Sequence, residues 1–161
     1  MKLIPILISF VIVFLSGLVL SSHDSIGFIN DKIYFKMSES KLEKILGESK
    51  SQDGTEADHL IKTYDTFCYG VKGKADFIFY NNKLVSVSFI SNHKSCDLQK
   101  AIDIIEKIKS KYKGDKYYEQ EESINKNSYF ILFGQTNGAT GKDIIAEYED
   151  GILSICAELM E

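Results

Sequence analysis

The sequence contains no arginine, no tryptophan, one proline (Pro5) and no Asn-x-Ser/Thr sequon. Its 19 basic residues are therefore all lysine, and the formal net charge is −4. Recognition of nucleic acid and phosphate leans on the guanidinium fork and on a net positive face. An acidic, arginine-free chain argues against nucleic-acid and nucleotide partners. The three histidines, His23, His59 and His93, are far apart. Structural zinc sites show paired ligands twice, so the sequence gives no reason to expect a metal or any other cofactor.

Long apolar runs are confined to the start of the chain. Met1-Lys2 precedes LIPILISFVIVFLSGLVL, Leu3 to Leu20, and then Ser21-Ser22-His23-Asp24. A basic start, an apolar run and a small polar exit predict a secretory signal over residues 1–22. The run also reaches the lower limit for a retained membrane anchor. Either way residues 23–161 are expected to be exported, to periplasm or medium, as a single domain. Their length suffices for one hydrophobic core.

Two helices are predicted. In SESKLEKILG, Leu42, Ile45 and Leu46 share a face over Glu39–Leu46, and Gly47 supplies the stop. Ser40-x-x-Glu43 has capping-box spacing, with Ser38 as a rival cap. The longer helix is DLQKAIDIIEKIKSKYKG. Asp97 is a natural N-cap. Leu98, Ala101, Ile102, Ile105, Ile108 and Tyr112 form its stripe, and Gly114 ends it.

Strand signals cover Leu60–Tyr69, Ala75–Tyr80, Leu84–Ile90, Lys116–Glu121, Ser128–Phe133, Asp143–Glu149 and Ile152–Leu159, with a short one at Lys32–Phe35. Residues 48–58 are polar, contain Asp53-Gly54 and read as a loop. A three-residue loop at Asn81-Asn82-Lys83 pairs 79 with 85, 77 with 87 and 75 with 89, and keeps the apolar residues on one face. Asp150-Gly151 predicts a two-residue hairpin pairing 148 with 153, 146 with 155 and 144 with 157. Tyr129–Phe133 is apolar on both faces and is placed centrally. The order, helix plus three strands and then helix plus four, suggests a degenerate duplication. The fold class is α+β: an antiparallel β-sheet of six to seven strands with one long and one short helix packed on one face.

Three cysteines follow the apolar run: Cys68, Cys96 and Cys156. Export favours oxidation. Cys68 ends one strand, and Cys96 lies just past another that runs back to the same end of the sheet. A Cys68–Cys96 disulfide is therefore expected, closing a loop of about 29 residues worth roughly 3–4 kcal/mol in the chain-entropy model. Pairings through Cys156 are the alternative.

Cys96 lies in Ser91-Asn92-His93-Lys94-Ser95-Cys96-Asp97, which also admits sharper chemistry. A Cys96 nucleophile needs a depressed pKa and a positioned base, here His93. A metal would draw on His93, Cys96 and Asp97. The plain reading is a staple at Cys96, a cap at Asp97, and His93 and Lys94 in solvent. In GQTNGATGKD, Gly134–Asp143, the Gly-Lys pair lacks the earlier glycine and the following Ser/Thr of a phosphate loop, and a strand follows where a helix is needed. Glu119, Glu121, Glu122, Glu147 and Glu149 offer carboxylates for acid–base pairing, and nothing singles out two of them.

What remains is contact. With helices on one sheet face, the other is expected to display Tyr64, Ile78, Tyr80, Leu84, Ile145 and Ile152 among polar groups, a composition suited to protein interfaces. A second packing layer from residues 23–36 is the competing arrangement.

SESKLEKILGESKS…IKTYDTFCYG…ADFIFYNNKLVSVSF, residues 37–90, resembles small exported bacterial α+β modules. These are the outer-membrane assembly lipoproteins of the SmpA/OmlA type and the β-lactamase-inhibitor-protein-like modules. The resemblance rests on Leu46-Gly47 and the strand pattern, and implies a non-enzymatic binding or envelope role. The leading expectation is an exported protein-binding module: an inhibitor, an immunity protein or an envelope accessory. A small secreted hydrolase using Cys96/His93 or a carboxylate pair is one alternative. A surface or structural protein without a defined ligand is the other.

Overall fold

In a computed structural model, residues 25–56, 58–112, 117–125, 128–136 and 141–160 are described. For 54–56, 117–125 and 135–136 the description is of backbone alone. The expected signal, residues 1–22, lies outside the described residues, as does Gly114. Among the described residues no helix is long and apolar enough to cross a membrane.

Two helices, α1 (Glu39–Leu46) and α2 (Leu98–Tyr112), accompany eight strands. These are β1 (Ser51–Glu56), β2 (His59–Cys68), β3 (Val71–Tyr80), β4 (Lys83–Ser91), β5 (Tyr117–Asn125), β6 (Ser128–Thr136), β7 (Gly141–Glu149) and β8 (Ile152–Met160). All pairs are antiparallel, in the order β1-β2-β3-β4-β8-β7-β6-β5. The chain thus makes a helix and a four-strand meander twice, and the two meanders meet along their last strands, β4 and β8. The fold is α+β with both helices on one sheet face.

The strand absent from the sequence reading is β1. SQDGTE carries no apolar pattern because it is a polar edge strand, paired with β2 from Ser51↔Thr63 to Asp53↔Ile61 and irregular beyond. β6, expected at the centre, lies one strand in from the β5 edge. It is nevertheless paired on both sides, which is what its apolar faces require.

The β3–β4 hairpin departs from its expected register in one detail. Asn81 (φ 50°) and Asn82 (φ 58°) form a two-residue left-handed turn, pairing Tyr80 with Lys83 and Phe79 with Leu84. A bulge follows at Val85, after which Phe77 pairs with Val87 and Ala75 with Phe89, as expected. The extra residue lets Leu84 and Val87 both face the core, each fully buried. β7 and β8 pair 148–153, 146–155 and 144–157 across Asp150-Gly151, the register read from the sequence.

The core lies between the sheet and a layer made of α1, α2 and residues 25–37. Phe77, Phe79, Phe89, Phe133, Ile144 and Ile155 come from the sheet. Ile26, Phe28, Ile33, Phe35 and Met37 come from the lead-in, Leu42 from α1, and Ala101, Ile104, Ile105, Ile108 and Tyr112 from α2. Burying each large apolar side chain contributes about 1.5–3 kcal/mol. Ile104 replaces Ile102 on the buried stripe of α2; Ile102 and Leu98 are half-buried at its margin. Instead of a strand over Lys32–Phe35, the lead-in folds back on itself through a single bridge, Ser25↔Tyr34. It is then tied to β4 by Lys36 N–H to Leu84 O (2.8 Å) and Leu84 N–H to Met37 O (2.9 Å).

Candidate functional site

The side of the sheet away from the helices has no covering layer among the described residues. The lead-in, the competing candidate for that role, packs on the helix side, where Gly27 O accepts from Tyr69 Oη (3.0 Å) and Lys111 Nζ (2.7 Å). Strand alternation sets what the open face shows. One row across it runs Thr63, Asp76, Ser88, Cys156, Ile145 and Leu132 in register. A parallel row runs Asp65, Lys74, Ile90, Ser154, Glu147 and Phe130. Among the described residues the five exposed large hydrophobics, Phe67 (56%), Tyr80 (45%), Ile90 (52%), Ile145 (41%) and Met160 (41%), all have outward parity on this face.

Of the contact residues expected from sequence, Tyr80 is exposed on the open face, and Ile78, Ile145 and Ile152 have the same parity with partial or greater exposure. Tyr64 and Leu84 do not belong there. Leu84 is turned inward by the bulge. Tyr64 is 4% exposed and packs edge-on against the Phe77 ring, 5.5 Å between centroids. It shares its parity with Lys62, an inward lysine whose ammonium pairs with Glu39 and Glu43 of α1. Burial alone would lower the Lys62 pKa, but hydrogen bonds to these two carboxylates outweigh it and the pKa rises. Phe67 and Ile90, which the sequence reading did not select, are the most exposed apolar groups on the face.

The face is acidic toward β7 and β8. Asp143, Glu147 and Glu149 project from β7 and Glu158 from β8, with Asp143 opposite Glu158. Burial, and then the Glu158 charge, push the Asp143 carboxyl above the ordinary range, and its Oδ1 is buried without a hydrogen-bond partner. Cys156 lies beside Glu158 on β8, opposite Ile145, its Sγ 3.8 Å from Ser86 Oγ and 3.7 Å from Glu158 Oε1. Of the glutamates considered from sequence, Glu147 and Glu149 are exposed, while the side chains of Glu119, Glu121 and Glu122 lie outside the described residues.

A shallow open depression of about 680 Å³ lies where β4 passes into α2. Lys94, Cys96, Asp97, Lys100, Tyr148 and Asp150 are among its walls. The connector is held by Asn92 N–H to Lys72 O (2.9 Å), Lys94 N–H to Gly151 O (3.0 Å) and Ser95 Oγ to Asn92 O (2.6 Å). Asp97 Oδ1 accepts from Lys100 N–H at 2.8 Å, the expected cap. His93 is exposed and outside this wall. Cys96 is nearly buried, donates to its neighbour's carbonyl (Asp97 O, 3.4 Å), and is raised in pKa by burial. Burial thus disfavours its thiolate relative to that of an exposed cysteine.

Cys68, Cys96 and Cys156 are free thiols in this structure, so the expected Cys68–Cys96 bond is not formed in it. The two expected partners lie near enough for Cys96 to act on the Cys68 thiol electrostatically. Both are buried in the same core cluster, and the Cys68 thiol is pushed up to about 12 by burial and by Cys96. Among the described residues no three His, Cys, Asp or Glu side chains gather as metal ligands. Gly141 opens β7, and Lys142 turns to the helix side with its Nζ 5.9 Å from the Phe35 ring centre. Comparison of the chain with known protein families, curated proteins and solved structures finds no match.

Proposed function

We propose that this chain is an exported, non-enzymatic protein-binding module, of the inhibitor, immunity or envelope-accessory kind, that meets its partner through the open sheet face. The observation that carries this reading is that, among the described residues, the five exposed large hydrophobics all lie on the one face that helices and lead-in leave bare. Isolated exposed apolar groups need no explanation, but a set gathered on one face, in a polar field, is how interaction surfaces are composed. The apolar N-terminal run supports export, and the helix-and-meander pattern of residues 37–90 supports kinship with small bacterial envelope modules. In an oxidising compartment Cys68 and Cys96 join, tying β2 to the start of α2 and leaving Cys156 as a thiol.

The test is a pair of open-face substitutions, Ile90→Lys with Ile145→Lys. Both sites face water, so thermal stability stays within a few degrees of the parent, in line with surface changes of about 0.5 kcal/mol. Recovery of a stoichiometric partner from the envelope fraction is lost. Undiminished recovery, or no stoichiometric partner with the parent chain, removes the reading.

A further inference from the structure

Of the three cysteines, only Cys96 lines the depression at the start of α2. Cys68 lies behind it, fully buried at the end of β2, where it pairs with Val71 across the Tyr69-Gly70 turn. The connector that carries Cys96 is fastened to the start of β3, just past that turn, because Asn92 N–H and Ser95 Oγ both reach Lys72 O (2.9 and 3.4 Å). A hydrogen bond from Tyr148 Oη to Cys96 O (3.4 Å) steadies the other side. Cys96 thus borders a concavity while Cys68 is closed off, near enough to Cys96 to feel it electrostatically.

We propose that Cys96 and Cys68 are an ordered oxidisable pair, in which a small disulfide of the glutathione class enters the depression and reacts first at Cys96, and Cys68 then resolves it. Cys96, deprotonated, attacks one sulfur of the incoming disulfide. The S–S bond breaks, a Cys96–glutathione bond forms, and one glutathione leaves as a thiolate that takes up a proton. Cys68, deprotonated in turn, attacks the Cys96 sulfur and releases the second glutathione. The net change oxidises two cysteine thiols to one disulfide and reduces one glutathione disulfide to two thiols, so electrons and protons balance.

The order follows from access and charge together. Lys100, in the first turn of α2, partly counters the effect of burial on Cys96, against a smaller opposing effect of the Asp97 charge. Cys68 has no such cation, and its only charged neighbour of note is Cys96 itself. Attack requires thiolate and access, and Cys96 has more of both. Lys94 and Lys100 also line the depression, where they suit the carboxylates of a glutathione disulfide. The inference does not depend on the binding role: a chain that oxidises in this order yet binds no partner leaves it intact.

The experiment uses purified, reduced full-length protein with oxidised glutathione at pH 8, quenched by acid and read by mass and peptide mapping. In the parent chain a transient glutathione adduct maps to Cys96, followed by a Cys68–Cys96 bond and loss of two hydrogens. In Cys68→Ser the Cys96 adduct accumulates; in Cys96→Ser, Cys68 takes up glutathione at least roughly tenfold more slowly. A first adduct on Cys68, equal rates in the two variants, or a final bond through Cys156 overturns the proposal. The parent time course decides the matter even if a serine variant folds poorly.

Discussion

The side-chain Oδ1 of Asn82, in the turn between β3 and β4, accepts a hydrogen bond of 3.1 Å from the backbone N–H of Glu39, the first residue of α1. A residue 43 positions away thus caps the helix. Ser38, the N-cap by position, makes no side-chain cap bond, and the Ser40-Glu43 spacing is not used as a capping box. Asn82 also holds φ at 58°, a left-handed turn position. Asn82→Ala loses both contributions and costs about 1–2 kcal/mol in denaturant unfolding. Asn82→Gly keeps the turn and loses the cap alone, so it costs less. Equal losses would show that the cap, not the turn, sets the residue.

The Lys62 ammonium is buried, and its partners Glu39 and Glu43 are a third or more exposed. Removing both carboxylates, in Glu39→Gln with Glu43→Gln, strands a buried cation and costs about 1–3 kcal/mol. Lys62→Met removes the charge and keeps the volume, and is near neutral. Because the Lys62 pKa is raised in the fold, its contribution is fully present below its unfolded value of 10.5 and is lost as pH rises through the folded value. Urea titrations from pH 9 to 12 therefore show a steeper alkaline loss in the parent than in Lys62→Met.

Asp143 has the opposite consequence at neutral pH. Its folded pKa lies above the unfolded 3.8, so its favourable contribution is present below that value and is lost as pH rises through the folded one. Asp143→Asn keeps the shape and removes the repulsion from Glu158. It melts about 1–3 °C above the parent at pH 7, and the gap closes below pH 4. A gap that widens on acidification would contradict the assignment.

Gly73 faces the core of β3, and a Cβ there would lie 2.2 Å from Ile90 O and 2.6 Å from the Phe89 ring. The backbone oxygen has no rotamer to yield. Gly73→Ala costs about 1–3 kcal/mol from overpacking, measured as a lower denaturation midpoint with unchanged slope.

Legibility from sequence followed the range of the signal. The bounds of α1, the Asp97 cap and the β7–β8 register were readable because each rests on neighbouring residues: Gly47, Asp97 itself, and Asp150-Gly151. β1 was not, since SQDGTE owes its strand to β2 and not to its own propensity. Leu84 was misplaced because a bulge at Val85 inverts parity, and one residue's shift reverses every face. Tyr64 was misplaced because it shares its strand face with a lysine, and only the distant carboxylates of α1 explain why Lys62 points inward. The open face was legible as composition, through Tyr80, Ile78, Ile145 and Ile152. Phe67 and Ile90, its most exposed members, depended on knowing where the covering layer ends.

The central claim is that the bare sheet face is where this protein touches another. Photo-crosslinking residues placed singly at Ile90, Ile145 and Phe67, and as controls at Lys107 and Gln99 on α2, test it in cells that make the chain. The account predicts one adduct of common mass from the three sheet positions and none from the helix. Adducts from α2 alone, or none from any open-face position, would contradict it.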